Sequence, residues 1–166
     1  MNYFDIFGIK KCFSIDRQNL ESKYLELQKK HHPDNFIDFA EKIKNADLSS
    51  HANIAYTTLI DEAKRIEYLL KLENIDLEKT KNTLDVEKLE EILFDMELVD
   101  DLNPKIEDKV FLDILNKREE LQNKIVKHIS SYFDFKVGDI ESVIRFFAEY
   151  KYNIKIIERV RIKFKK

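Results

Sequence analysis

The tripeptide His32-Pro33-Asp34 separates two stretches with helical patterns, residues 16–31 and about 48–70. Proline has no backbone N–H and a fixed φ, and it disfavours the α region for the residue before it. The first helix must therefore end at this tripeptide. Two antiparallel helices joined by such a loop would present His32 and Asp34 outward with little local freedom.

The stretch before the tripeptide carries one narrow apolar stripe. Asp16 is placed to be the N-cap of a helix. The stripe follows the i, i+4, i+7, i+11 spacing of one helix face and consists of Leu20, Tyr24, Leu27 and His31. Lys23 and Lys30 are seven residues apart, so they project within about 20° of each other. On spacing alone these lysines indicate a solvated face.

The stretch after the tripeptide begins polar and becomes helical. Residues 35–47 are polar with Phe36, Ile37 and Phe39 interspersed, which predicts a loop or short turn. A helix is predicted from about Leu48, and its three- and four-residue steps place these residues inward: Ala52, Ala55, Tyr56, Leu59, Ala63, Ile66 and Leu70. Asp61 leaves two alternatives open, because it can cap a new helix or lie within one continuous bent helix.

These stretches resemble the J-domain, the module that DnaK-type ATPase chaperones recognise, and more closely the HscB family of iron–sulfur co-chaperones. The matching residues are Asn2-Tyr3-Phe4-Asp5-Ile6-Phe7-Gly8-Ile9, Leu27-Gln28-Lys29-Lys30-His31-His32-Pro33-Asp34-Asn35-Phe36, Asn53-Ile54-Ala55-Tyr56-Thr57-Thr58-Leu59, Arg65-Ile66-Glu67-Tyr68-Leu69-Leu70 and Met96-Glu97-Leu98-Val99-Asp100-Asp101-Leu102. The resemblance covers nearly the whole chain. Its first and fourth motifs are more typical of HscB than of J-domains in general.

The resemblance implies a contact with an ATPase chaperone in the first half of the chain. The residues that would make it are His32, Pro33, Asp34, Lys23, Lys29 and Lys30. In the family the basic face of this helix meets an acidic surface of the chaperone, and such electrostatics chiefly set encounter rate and orientation. Asn35 departs from the family, which commonly has a lysine directly after the tripeptide.

Composition indicates an all-α fold. The 166 residues include only two Gly and two Pro, fewer than turn-rich β architectures need. A single cysteine, Cys12, cannot form an intramolecular disulfide, and no signal peptide or long apolar run is visible. We therefore expect a reducing, cytoplasmic location and no membrane contact.

The second half of the chain predicts an antiparallel three-helix bundle after a polar linker. We expect a J-domain over residues 1–75, a linker over 76–83 and a bundle over 84–166. The bundle helices are predicted from about Val86 to Leu102, with Thr83 or Asp85 as cap, from about Ile106 to Tyr132, and from about Asp139 to Arg161. Asn103-Pro104 breaks the chain between the first two.

Charge is distributed unevenly in this half. Residues 84–104 hold one Lys and eight acidic residues, whereas residues 105–166 hold 15 basic and 10 acidic residues. The basic end consists of Arg159, Arg161, Lys163, Lys165 and Lys166. We interpret it as a solvated helix end favoured by the helix dipole rather than a nucleic-acid site.

The first bundle helix has more apolar positions than one buried stripe requires, and acidic residues lie between them. This pattern fits a partner-binding surface, and equally a helix buried on two sides of the bundle. The family resemblance implies that the bundle holds an IscU-type iron–sulfur scaffold protein. The implied scaffold-facing residues are Ile92, Leu93, Met96, Glu97, Asp100 and Tyr152.

The function implied is that of a co-chaperone, which stimulates a DnaK/HscA-type ATPase and delivers the scaffold to it during iron–sulfur cluster assembly. We expect no cofactor, no bound metal and no catalytic residue in the chain itself. One alternative is a J-domain co-chaperone for a different client. Another is a metal-dependent hydrolase using His31, His32 and Asp34, although adjacent histidines on a helix point about 100° apart and chelate one ion poorly.

Overall fold

The computed structural model describes residues 2–78, 84–102 and 108–164, apart from the side chains of residues 108 and 164. Within these ranges it contains no strand and one 3-10 turn, Pro33–Asn35. The α-helices are α1 (Tyr3–Ile6), α2 (Arg17–Lys30), α3 (Phe39–Ile60), α4 (Glu62–Leu72), α5 (Val86–Asp101), α6 (Asp108–Phe135) and α7 (Ile140–Phe164). The predicted all-α fold is confirmed. The chain divides into two compact units, Met1–Ile75 and Asp76–Lys166.

The first unit is built on the hairpin of α2 and α3, with α1 and α4 beside it. Asp16 caps α2 as predicted, because its side chain accepts hydrogen bonds from the N–H groups of Gln18 and Asn19. Small side chains let the two long helices approach closely. The buried core consists of Phe4, Phe7, Phe13, Leu20, Ala52, Ala55, Leu59, Ile66, Leu69 and Leu70.

Helix α3 begins nine residues earlier than predicted, at Phe39 instead of Leu48. The prediction of a loop over residues 39–47 is therefore wrong. Asp38 caps the helix by accepting the N–H of Glu41 at 3.0 Å. The apolar residues of these first turns point to solvent: Phe39 is 77% exposed and Ile43 is 51% exposed. The turns therefore carry no inward apolar stripe from which a helix could be predicted.

The long helical stretch is broken at Asp61, which decides between the two alternatives left open by the sequence. Asp61 has an extended conformation (φ −80°, ψ 125°), and its side chain accepts the N–H of Lys64 at 2.9 Å. Asp61 therefore follows the last residue of α3 and caps the start of α4.

Helix α4 carries the hexapeptide Arg65-Ile66-Glu67-Tyr68-Leu69-Leu70, and most of it faces the core. Ile66, Leu69 and Leu70 are at most 1% exposed. The ring of Tyr68 stacks on that of Tyr3 at 4.2 Å, and its hydroxyl accepts the Tyr3 N–H at 2.9 Å. Burial raises the pKa of the Tyr68 hydroxyl. The hexapeptide thus fastens α1 to α4.

The second unit consists of α5, α6 and α7. Helices α6 and α7 pack along each other across a short connection, and α5 packs against α7. Asp85 caps α5 by accepting the Lys88 N–H at 2.8 Å. The core includes Ile92, Val99, Phe111, Ile125, Ile129, Val143, Phe147, Ile156 and Val160. The residues of the predicted linker from 79 to 83, which include the alternative cap Thr83, lie outside the described residues, as does the break at Asn103-Pro104.

No helix in the described parts of the chain combines the length and hydropathy needed to cross a membrane.

Candidate functional site

The tripeptide forms an exposed corner at the end of α2. Helix α2 ends at Lys30, and the N–H of His31 closes its last turn on Leu27 O at 2.9 Å. His32 is extended (φ −63°, ψ 128°), and Pro33 opens the 3-10 turn. The side chains of His32 and Asp34 are 57% and 87% exposed. Both can therefore reach a partner, while half-buried Pro33 keeps the backbone fixed between them.

Hydrogen bonds within the corner orient the histidine ring. The N–H of Asp34 donates to His32 Nδ1 at 3.3 Å, and a carboxylate oxygen of Asp34 lies 3.5 Å from the same nitrogen. The corner therefore presents an imidazole ring beside a carboxylate.

The neighbouring His31 has a different role. Its Nδ1 lies 2.6 Å from Asn45 Oδ1, and the Asn45 amide donates to Glu41 O at 2.8 Å. This contact fastens the end of α2 to the early turns of α3. His31 is the C-cap of α2 and His32 is extended beyond it, so the two histidines do not lie together on a helix as the prediction assumed. Across residues 2–78, 84–102 and 108–164 no three His, Cys, Asp or Glu side chains come together as a metal-binding group.

The predicted basic face lies on the solvent side of α2. Lys29 and Lys30 are exposed, and Lys23 is half-buried near Gly8. Leu20 is fully buried, and Tyr24 stacks on Tyr56 of α3 at 4.2 Å. The start of the apolar stripe thus packs in the core, whereas Lys29 and Lys30 face solvent.

A polar contact between α2 and α3 was not predicted. Gln28 donates to Asn53 Oδ1 at 2.8 Å and accepts from the Ser49 hydroxyl at 2.6 Å. The hydroxyl of Tyr24 donates to the same Asn53 oxygen at 2.8 Å. These bonds fix the register of the hairpin, so they also fix the basic face relative to α3. The i, i+4 pair Tyr24 and Gln28 on the inward side was the available signal.

The exposed face of α5 contains most of the residues predicted there. Leu93 is 58% exposed, Glu97 and Asp100 are exposed, and Met96 is half-buried at the edge of the core. Ile92 was predicted to face a partner, but it is 2% exposed. It packs among Val99, Leu102, Phe111, Ile156 and Val160. On a helical wheel Ile92 and Leu93 differ by about 100°. A buried side chain cannot contact a partner directly, so we remove Ile92 from the predicted contact set.

Tyr152 of α7 lies beside this face. It is half-buried and packs against the same core cluster as Met96, with Lys155 Nζ 5.6 Å from its ring centre. Asp100 is not a free carboxylate, because Arg159 of α7 pairs with it at 2.9 Å. An apolar strip of Leu93, Met96 and Tyr152 is thus bordered by a pair of opposite charges.

The basic end of the chain is engaged within the bundle. Lys163 donates to Val99 O at 2.9 Å and caps the end of α5, and Arg161 pairs with Glu119 at 2.6 Å. Lys165 and Lys166 lie outside the described residues.

A buried polar network around Arg118 was missed by the sequence analysis. Arg118 is 5% exposed and pairs with Asp95 of α5, and Glu91 lies 3.9 Å away. Burial lowers the pKa of Arg118, while nearby carboxylates oppose the shift. Asn153 of α7, fully buried, donates to Arg118 O at 2.8 Å. The network joins all three helices. Its one sequence signal was Asp95, which shares the inward side of α5 with Ile92.

No family model matches this chain, but curated relatives are similar to all or half of it. The co-chaperone protein HscB of Proteus mirabilis (strain HI4320) is 30% identical over 166 residues, covering 95% of this chain and 96% of the relative. The co-chaperone protein HscB homolog of Vibrio cholerae serotype O1 (strain M66-2) is 40% identical over 86 residues, which are 51% of this chain and 50% of that relative.

Solved structures have the same fold. The crystal structure of the human co-chaperone protein HscB matches with a TM-score of 0.85 and 27% identity, covering 98% of this chain and 82% of that one. Chaperone HscB from Vibrio cholerae matches in fold with a TM-score of 0.81 and 24% identity, covering 98% and 96%. Together with the full-length similarity to the Proteus mirabilis relative, these matches show that the chain belongs to the HscB co-chaperone family.

Proposed function

We propose that this protein stimulates the ATPase of a DnaK/HscA-type chaperone and delivers to it an IscU-type scaffold during iron–sulfur cluster assembly. In this proposal the first unit contacts the chaperone and the second unit contacts the scaffold. The chain itself catalyses no covalent step. Family membership is the observation that carries the proposal, and the two exposed surfaces described above supply the contacts.

The contact with the chaperone is assigned to His32, Pro33, Asp34 and the lysines of α2. The corner offers an imidazole and a carboxylate on a backbone held by Pro33, so less conformational freedom is lost when a partner binds. Lys29 and Lys30 are exposed beside it, and Lys23 extends the same side of the helix. Positive charges on this side would orient an acidic partner surface and would act less strongly at high salt.

The contact with the scaffold is assigned to Leu93, Met96, Glu97, Asp100 and Tyr152. Leu93 and Met96 supply the flexible apolar area that a transient partner can cover, and Tyr152 adds a half-buried aromatic ring. One chain that holds both partners raises the effective concentration of the scaffold at the ATPase. Stimulation and delivery would then follow from tethering.

The first experiment measures the ATPase turnover of a purified DnaK/HscA-type chaperone with the unmodified protein and with His32→Gln. We expect stimulation by the unmodified protein and its loss in the variant, with the helical circular dichroism unchanged. His51→Gln is the matched control, because His51 is also exposed but lies on α3. Loss of helicity in His32→Gln would instead assign the residue a structural role.

The second experiment measures binding of a purified IscU-type scaffold by calorimetry. Replacing Leu93 and Met96 by Ser should weaken binding at least about tenfold, since each removes apolar area from the contact. Leu112→Ser is the control, because Leu112 is 45% exposed on α6, outside the proposed face. Retained ATPase stimulation without any scaffold binding would favour a J-domain co-chaperone for a different client.

A further inference from the structure

The corner of the tripeptide is tied to α2 by one side chain that the assigned contacts do not include. The last carbonyls of an α-helix have no partner within the helix. In α2 the carbonyl of Leu27 accepts the His31 N–H, after which the chain turns away at Pro33. The carbonyl of Lys29 accepts the side-chain amide of Asn35 at 2.7 Å. Asn35 therefore caps the helix from outside it.

The other hydrogen bonds of the corner stay within the turn. The N–H of Asn35 donates to His32 O at 3.0 Å, and the N–H of Phe36 donates to Pro33 O at 3.2 Å. They shape the turn itself, which also packs against α3, but they make no bond from the turn to α2. Among the residues that the structure describes, the Asn35 amide makes the one hydrogen bond that joins this turn to α2.

We propose that Asn35 is a positioning residue, which holds His32 and Asp34 at a fixed place relative to the lysine face. This inference rests on the proposed function. Lys29 supplies both the carbonyl that accepts the Asn35 amide and one of the exposed positive charges. A partner that contacts the corner and the lysines together binds more tightly when their separation is fixed before binding, because less free energy is spent on ordering them. The short amide side chain provides that constraint without adding charge.

The test measures how much protein gives half-maximal stimulation of a purified DnaK/HscA-type ATPase. Asn35→Ala should raise that concentration roughly three- to tenfold, the range expected for one lost hydrogen bond. The salt dependence should keep its slope, because no charge is removed. Asn19→Ala is the matched control: Asn19 is exposed near the start of α2, far along the helix from the corner, and the variant should behave as the unmodified protein.

A double-mutant cycle with Lys30→Ala separates positioning from simple destabilisation. If Asn35 aligns the corner with the lysines, the two substitutions together should cost less than the sum of their separate effects. Strictly additive effects would overturn the inference. So would an Asn35→Ala variant that loses its helical circular dichroism, because the residue would then act on folding.

The inference and the proposed function fail in different ways. If His32→Gln abolishes stimulation while Asn35→Ala equals Asn19→Ala, the proposed function stands and the inference is wrong. If the unmodified protein does not stimulate the ATPase at all, both are wrong. Asn35→Lys adds a positive charge but replaces the rigid amide by a flexible chain. We expect it to bind more weakly than the unmodified protein at high salt, where the added charge is screened.

Discussion

Replacing Ile92 and Leu93 one at a time by alanine would separate the buried side of α5 from its exposed side. The two residues are adjacent in sequence, and each is a large aliphatic side chain. Ile92 is 2% exposed, whereas Leu93 is 58% exposed. We expect Ile92→Ala to unfold the second unit more easily, and Leu93→Ala to affect chiefly the binding of a partner.

The magnitudes follow from burial. Truncating a fully buried isoleucine removes its transfer free energy and leaves a cavity, which together cost about 2–5 kcal/mol of unfolding free energy. Full burial of a leucine is worth about 1.5–3 kcal/mol, and Leu93 has lost less than half of its surface to the fold. Its truncation should therefore cost less than about 1 kcal/mol.

Urea denaturation followed by circular dichroism measures both costs, and calorimetry with an IscU-type scaffold measures binding. Ile92→Ala should bind the scaffold with little change under conditions where it is still folded. Equal destabilisation by the two substitutions would mean that α5 is not oriented as described. Strong destabilisation by Leu93→Ala alone would refute the assignment of the exposed face.

Three further outcomes are expected. Arg118→Leu should lower the unfolding free energy by about 3 kcal/mol, because it leaves the Asp95 carboxylate half-buried without its partner, and adding Asp95→Asn should restore part of that loss in urea denaturation. Hydrogen bonds from the N–H and hydroxyl of Ser142 lower the pKa of Asp139. The stability that Asp139 contributes is therefore present above its unfolded-state pKa and is lost as the pH falls through the lower, folded-state pKa. The difference in melting temperature between Asp139→Ala and the unmodified protein should accordingly be larger at pH 7 than at pH 3. Lys30→Glu should reduce ATPase stimulation strongly at low salt and only weakly at high salt, which a titration at two ionic strengths checks.

Local chemistry made much of the fold predictable. Asp16 and Pro33 set the ends of α2 through capping and through a missing N–H, and neither effect depends on the rest of the molecule. The break at Asp61 was visible only as an alternative, because a carboxylate that caps a helix there can also lie on the surface of a continuous one.

The errors came from features that depend on tertiary packing. The early turns of α3 expose Phe39 and Ile43, so their apolar residues form no inward stripe that a sequence pattern could reveal. The burial of Ile92 rather than Leu93 is decided by which side of α5 meets α7. Arg118 lies inside because Asp95, distant in sequence, neutralises it there.

The hexapeptide of α4 has a consequence for how relatives of this protein are recognised. Its isoleucine and leucines are enclosed in the first unit, and its tyrosine is stacked on the opening helix, so a substitution at any of these four residues should act through folding. A chain that keeps these four side chains keeps this packing whether or not it contacts an ATPase. The hexapeptide is therefore a marker of the fold, and the proposed contact with an ATPase chaperone has to be tested at the loop at the far end of the hairpin.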